Sequence, residues 1–78
     1  MNDLSVKLNF LIPSLPRAEK AVAQYMLDNF AQISDMTLIT LANETATSEA
    51  TVIRLCKSLG YSSFVQLRQA FAMVSASE

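Results

Sequence analysis

Apolar residues recur at helical spacing along nearly the whole chain, and no stretch alternates as a half-buried strand does. Leu4, Leu8, Leu11 and Ile12 predict a short first helix, capped by Asn2 or Asp3. It ends near Pro13, because a residue before proline avoids the helical region. The segment 13–16 is a bend. Ala18, Ala21, Val22, Tyr25, Met26 and Phe30 form the stripe of a second helix that starts at about Pro16, where a missing N–H does no harm. Residues 29–36 read as a connector with Phe30, Ile33 and Met36 tucked under it.

The stretch 37–60, TLITLANETATSEATVIRLCKSLG, reads as two helices joined by a tight turn. Thr37 caps the first, whose apolar face is Leu38, Leu41 and Ala42. Ser48 caps the second, whose apolar face is Val52, Leu55 and Cys56, closed by Leu59. Gly60 stands where the helix stops, since glycine enters the left-handed region without steric cost. Ala42 is small where two steeply crossing helices touch, and Ala46, Thr47 and Ser48 make the turn, with Thr47 as an inward plug. Ser63 and Gln66 have capping-box spacing ahead of a last helix with Phe64, Leu67, Phe71 and Val74 on one face. Residues 76–78 continue no pattern and are expected to fray. The fold class is therefore all-α, a compact bundle of about five helices containing a helix-turn-helix.

Composition narrows the chemistry. Seventy-eight residues make one small domain or a piece of a larger protein, and the 51% hydrophobic content is enough for a core. The chain has no His and one Cys, which excludes a Cys/His metal set and an intrachain disulfide. Cys56 reads as a small buried apolar residue. No Gly-rich phosphate loop or paired nucleophile and base is present, so an enzyme is the weakest class, with no catalytic residue or cofactor expected. No apolar run approaches the ~20 residues of a membrane span. The start has no signal-peptide pattern, and the chain reads as cytoplasmic.

The net charge of −1 argues against a nucleic-acid binder, but the charges are unevenly placed. Residues 1–45 carry a net −2, whereas 46–77 carry +2 from Arg54, Lys57 and Arg68 against Glu49. Positive charge thus accompanies the second helix of the central pair, at about 48–59, which is the element that enters the major groove in a helix-turn-helix. Glu49, Ala50, Ile53, Arg54, Lys57 and Ser58 are expected towards solvent. Ser48, Glu49, Ala50 and Thr51 sit deepest in a groove, where hydroxyls reach base edges or phosphates and Ala meets a thymine methyl. Glu49 accepts from a cytosine amine or, equally, stabilises the helix dipole and repels phosphates. Arg54 is the leading base- or phosphate-contacting candidate and Lys57 a phosphate contact. Thr47, Ser58 and Ser63 complete the candidate set. The bland alternative for these charges is a solvated helix face.

The order LPRAEKAVAQYML, then TLITLANETATSEATVIRLCKSLGYSSFVQLRQAF, resembles the N-terminal DNA-binding domain of RpiR-family bacterial transcription regulators. The motif SEATVIRLCKSLGYSSF carries most of the likeness. The resemblance implies a helical bundle that binds double-stranded DNA, usually as a homodimer, at sugar-metabolism genes. It also implies a C-terminal sugar isomerase (SIS) domain, absent from this chain, through which a phosphosugar effector acts. Four positions depart from the family pattern. Ala46 stands for a turn Gly, at a cost of ~1 kcal/mol if φ is positive. Thr47 stands for Val, Leu15 for a capping Ser or Thr, and Thr40 for a Glu that would complete the Thr37 capping box. The competing function is a protein-interaction or dimerisation module that uses exposed apolar residues of the first and last helices.

Overall fold

Leu4 and Leu8, one turn apart, are the buried pair of α1 (Asp3–Leu11). The computed structural model describes residues 3–77, and for 75–77 the helical backbone only. Of the two caps expected, Asp3 is the first helical residue of α1, and Asn2, like the end at Glu78, lies outside the described residues. Pro13 stops α1 in a 3₁₀ turn, Ile12–Ser14. Ser14 Oγ donates to the Leu11 carbonyl at 3.0 Å, so it closes α1. The next helix, α2 (Arg17–Asp28), has Pro16 at its N-cap, one residue after the Leu15 expected there, and no side-chain cap.

α2 turns a different face inward than its alanines predict. Ala18 and Ala21 are exposed, while Glu19, Val22, Ala23 and Met26 are buried. Residues 29–36 also differ from a plain connector. Phe30–Asp35 is a 3₁₀ segment packed along the last helix, with Ile33 fully buried and Phe30 against Phe71 at 4.5 Å between ring centroids.

α3 (Leu38–Glu44) buries Leu41 and Ala42, and α4 (Glu49–Ser58) buries Thr51, Val52, Leu55 and Cys56. α4 packs against both α2 and α3. α5 (Phe64–Ser77) seals the bundle with Phe64, Leu67 and Phe71, and it remains helical through residues 76 and 77, where fraying was expected. Five α-helices and two 3₁₀ segments are present among the described residues, without a strand. One apolar cluster joins residues from every α-helix, so α4 is held by the whole core.

Candidate nucleic-acid interface

The turn before α4 is a Schellman ending of α3. Thr47 N–H donates to the Ala42 carbonyl at 2.9 Å and Ala46 N–H to that of Asn43 at 3.1 Å. This requires a left-handed residue between them, and Ala46 has φ 55°. α4 ends in the same way. Tyr61 N–H donates to Cys56 at 2.9 Å and Gly60 N–H to Lys57 at 3.0 Å, with Gly60 at φ 95°. Glycine makes this ending without strain, whereas alanine pays a Cβ clash. Ala46→Gly should therefore raise stability by about 0.5–1 kcal/mol, after allowing for the looser unfolded chain. Thermal unfolding should show a midpoint several degrees higher; a lower midpoint would contradict the strain.

Hydroxyls fix the turn and the helix start. Thr45 Oγ1 donates to Leu41 O at 2.8 Å and pairs with Thr47 Oγ1 at 2.8 Å. Its proton faces the backbone, so Thr47 donates within that pair. Ser48 Oγ accepts from Thr51 N–H at 3.1 Å, a side-chain cap that saves α4 about 1 kcal/mol over Ala. Thr51 Oγ1 lies 3.0 Å from Ser48 Oγ and accepts from Arg54 Nη2 at 3.2 Å.

Arg54 points outward, its side chain 62% exposed, with Nε 4.0 Å from Oε2 of the buried Glu19. Glu49, Ala50, Lys57 and Ser58 share the open side of α4. Two expectations need correction. Thr51 is only 4% exposed and is spent on the cap and on Arg54, so it presents no groove-facing hydroxyl. Ile53 is half-buried against the core, not on the open face.

The sequence model described as "Helix-turn-helix domain, rpiR family" matches residues 3–78. The chain belongs to the rpiR family of helix-turn-helix domains. It is 34% identical over 77 residues to the HTH-type transcriptional regulator HexR of Pseudomonas aeruginosa, covering 99% of this chain and 27% of HexR. It is 30% identical over 78 residues to an uncharacterised HTH-type transcriptional regulator, TTE0211, of Caldanaerobacter subterraneus, covering 100% of this chain and 28% of that one. Among solved structures, NanR of Vibrio vulnificus, complexed with ManNAc-6P, superposes with TM-score 0.91 at 35% identity, over 96% of this chain and 28% of NanR. The N-terminal domain of the putative regulator ybbH of Bacillus subtilis superposes with TM-score 0.84 at 29% identity, over 92% and 88%. This is thus the helix-turn-helix domain type of transcription regulators, and it spans just over a quarter of the curated relatives' length.

The rpiR-type domain spends two cations on its own fold. Lys7 Nζ donates to the Leu59 carbonyl at 2.9 Å and lies over the Tyr61 ring, closing the end of α4 from α1. Arg68 donates to the Met36 carbonyl at 3.0 Å and lies over Phe64. Arg17 lines an open groove with Ala18, Ala21, Thr45, Ala46 and Thr47, beside the turn. Sequence reasoning missed this placement, because nothing local in α2 announces the neighbouring turn. Glu19 was missed too, since a buried carboxylate breaks the apolar pattern.

The outlying candidates have local duties. Ser58 Oγ donates back to the Arg54 carbonyl at 3.1 Å. Ser63 Oγ accepts from Gln66 N–H at 3.2 Å, while Gln66 Oε1 accepts from Ser62 N–H at 3.0 Å. The capping box is therefore shifted by one residue on its return bond. Cys56 is buried, and burial pushes its thiol up from 9.0 to about 11, so it stays protonated and unreactive near neutrality. No metal-type cluster occurs among the described residues. No helix there is long and apolar enough to cross a membrane.

Proposed function

We propose that this domain binds double-stranded DNA sequence-specifically, with α4 in the major groove, as part of a cytoplasmic bacterial regulator of sugar or sugar-phosphate metabolism genes. The observation that carries the reading is the division of α4. Its inner face is locked by Val52, Leu55 and Cys56, while Glu49, Ala50, Arg54 and Lys57 line the open face beyond a capped start. Ser48, Glu49 and Ala50 lie nearest the base edges. Arg54 contacts a base, Lys57 a phosphate, and Thr47, Ser58 and Ser63 flank the contact. Arg17 adds a cation beside the turn. The HexR likeness supports a transcription regulator, and NanR's ManNAc-6P, a sugar phosphate, supports the sugar-metabolism assignment and a phosphosugar effector acting through a C-terminal SIS domain outside this chain.

The domain measures 30 × 25 × 22 Å. One copy therefore covers one groove, and a palindromic site with half-sites ~34 Å apart calls for a homodimer. A second reading, a protein-interaction module, draws on Phe10, 81% exposed on α1, and Met73, 73% exposed on α5. Mobility shifts against genomic fragments separate the two: a retained fragment supports DNA reading, and none retained supports the interaction module. Lys57→Ala should weaken every duplex alike and lower the slope of log affinity against log salt by about 1. An unchanged slope would remove Lys57 from the interface.

A further inference from the structure

Glu19 is the one charged side chain buried among the described residues, and Glu19–Arg54 is the one ion pair found among them. Its position on α2 is an ordinary core position, on one face with Val22, Ala23 and Met26. An apolar residue would pack there without desolvating a charge, and replacing buried ionic groups by apolar ones is often neutral or stabilising. Fold stability therefore gives a poor account of a carboxylate at this place. Its effect on Arg54 gives a better one.

We infer that Glu19 is a positioning residue for DNA reading: its carboxylate and the Thr51 hydroxyl together hold the Arg54 guanidinium in one orientation. The inference rests on the assignment of Arg54 as a base contact. A guanidinium has five N–H donors in a planar fork. Nε faces Glu19 Oε2 at 4.0 Å, and one Nη2 proton goes to Thr51 Oγ1 at 3.2 Å. Thr51 is itself fixed to the Ser48 cap. The Nε–Nη2 edge thus faces the protein through one hydrogen bond and one ion pair, the side chain as a whole is 62% exposed, and the Nη1–Nη2 end is the fork's other donor pair. That end has the two parallel donors that match O6 and N7 of guanine. A long, flexible side chain loses less entropy on binding a base when it is ordered beforehand, and the Thr51 hydrogen bond on its own helix with the Glu19 charge on α2 favours one orientation. The partner implied is a G·C pair facing the middle of α4.

The test uses a duplex selected from a random pool by the wild-type chain, and every single-base-pair variant of it, with affinities read by fluorescence anisotropy at fixed salt. Arg54→Ala first identifies the base pair that Arg54 discriminates. Glu19→Gln should then lose discrimination by about 5- to 20-fold at that base pair and at no other. Its affinity for a scrambled duplex should hold or rise, since a negative charge is gone. Thr51→Val should lose discrimination at the same base pair, and Thr51→Ser should keep it. Glu19→Asp withdraws the charge by one methylene and repeats the test with a side chain that stays anionic. Discrimination unchanged by Glu19→Gln and Glu19→Asp, or lost evenly at all base pairs, overturns the inference and leaves Glu19 a structural staple. Arg54→Ala without a base-pair-specific loss overturns the assignment of Arg54 as well.

Discussion

Phe71→Ala should leave the domain unfolded at 37 °C. Phe71 is fully buried on α5, its ring tilted by 40° against Phe30. That contact ties α5 to the 3₁₀ segment Phe30–Asp35, against which α5 packs. Truncating a buried Phe costs about 3–5 kcal/mol, because the cavity closes only in part. The lost aromatic pair with Phe30 places this site towards the upper end of that range. Domains have only about 0.05–0.15 kcal/mol of stability per residue, so a chain of this size has little left after such a loss. Circular dichroism should show most of the helical signal gone at 37 °C. Phe71→Leu, which refills much of the volume, should stay folded. A Phe71→Ala domain that melts within a few degrees of wild type would mean that α5 does not close the core as described.

The caps were readable because capping is local chemistry. Thr37, Ser48 and Ser63 each accept the N–H three residues on, as their side chains and spacing predict. Thr40 shows what its departure from Glu costs. It receives the Thr37 hydroxyl proton at 2.9 Å and sends nothing back to the backbone. Gly60 was readable for the same local reason, whereas the left-handed Ala46 was suggested only by the Gly that the family pattern places there.

What depended on distant partners was not readable. Alanine fits either face of a helix, so Ala18, Ala21 and Ala23 could not set the rotation of α2. Val22 and Met26 of the expected stripe do mark its inner face, but Glu19 lies there too, and a pattern argument places a carboxylate outside. Its ion-pair partner, Arg54, lies far along the chain. The 3₁₀ segment was read as a connector because Phe30, Ile33 and Met36 recur every three residues, the 3₁₀ period, without the i, i+4 neighbours that mark an α-helical face. Thr51 was placed in a groove because its hydroxyl is polar. Its methyl suits the core, and its hydroxyl is satisfied by Ser48 and Arg54, so the residue turns inward without a polar penalty.

Arg54→Ala should cost both recognition and stability, and the two losses should separate. On the DNA side it removes the only arginine of α4. If that side chain reads a base, discrimination at one base pair should fall by ~1–3 kcal/mol. Arg54→Lys distinguishes a base contact from a phosphate contact. Lysine keeps the charge but has no planar fork, so it should retain affinity for scrambled duplexes while losing the same base-pair discrimination as alanine. On the protein side both substitutions act on Glu19, whose side chain is 8% exposed beside Arg54. Alanine leaves that carboxylate buried without its cation. Because the Arg54 end of the pair is open to water, the loss should be near the upper end for exposed pairs, about 1 kcal/mol. In a domain of this size that lowers the unfolding midpoint by about 4–8 °C. Lysine should recover part of this. Adding Glu19→Gln to Arg54→Ala should recover part of it too, because no unpaired charge then remains inside. Wild type, Arg54→Ala and Lys57→Ala binding duplex DNA with equal affinity and equal base preference at low salt would show that the open face of α4 meets something other than DNA.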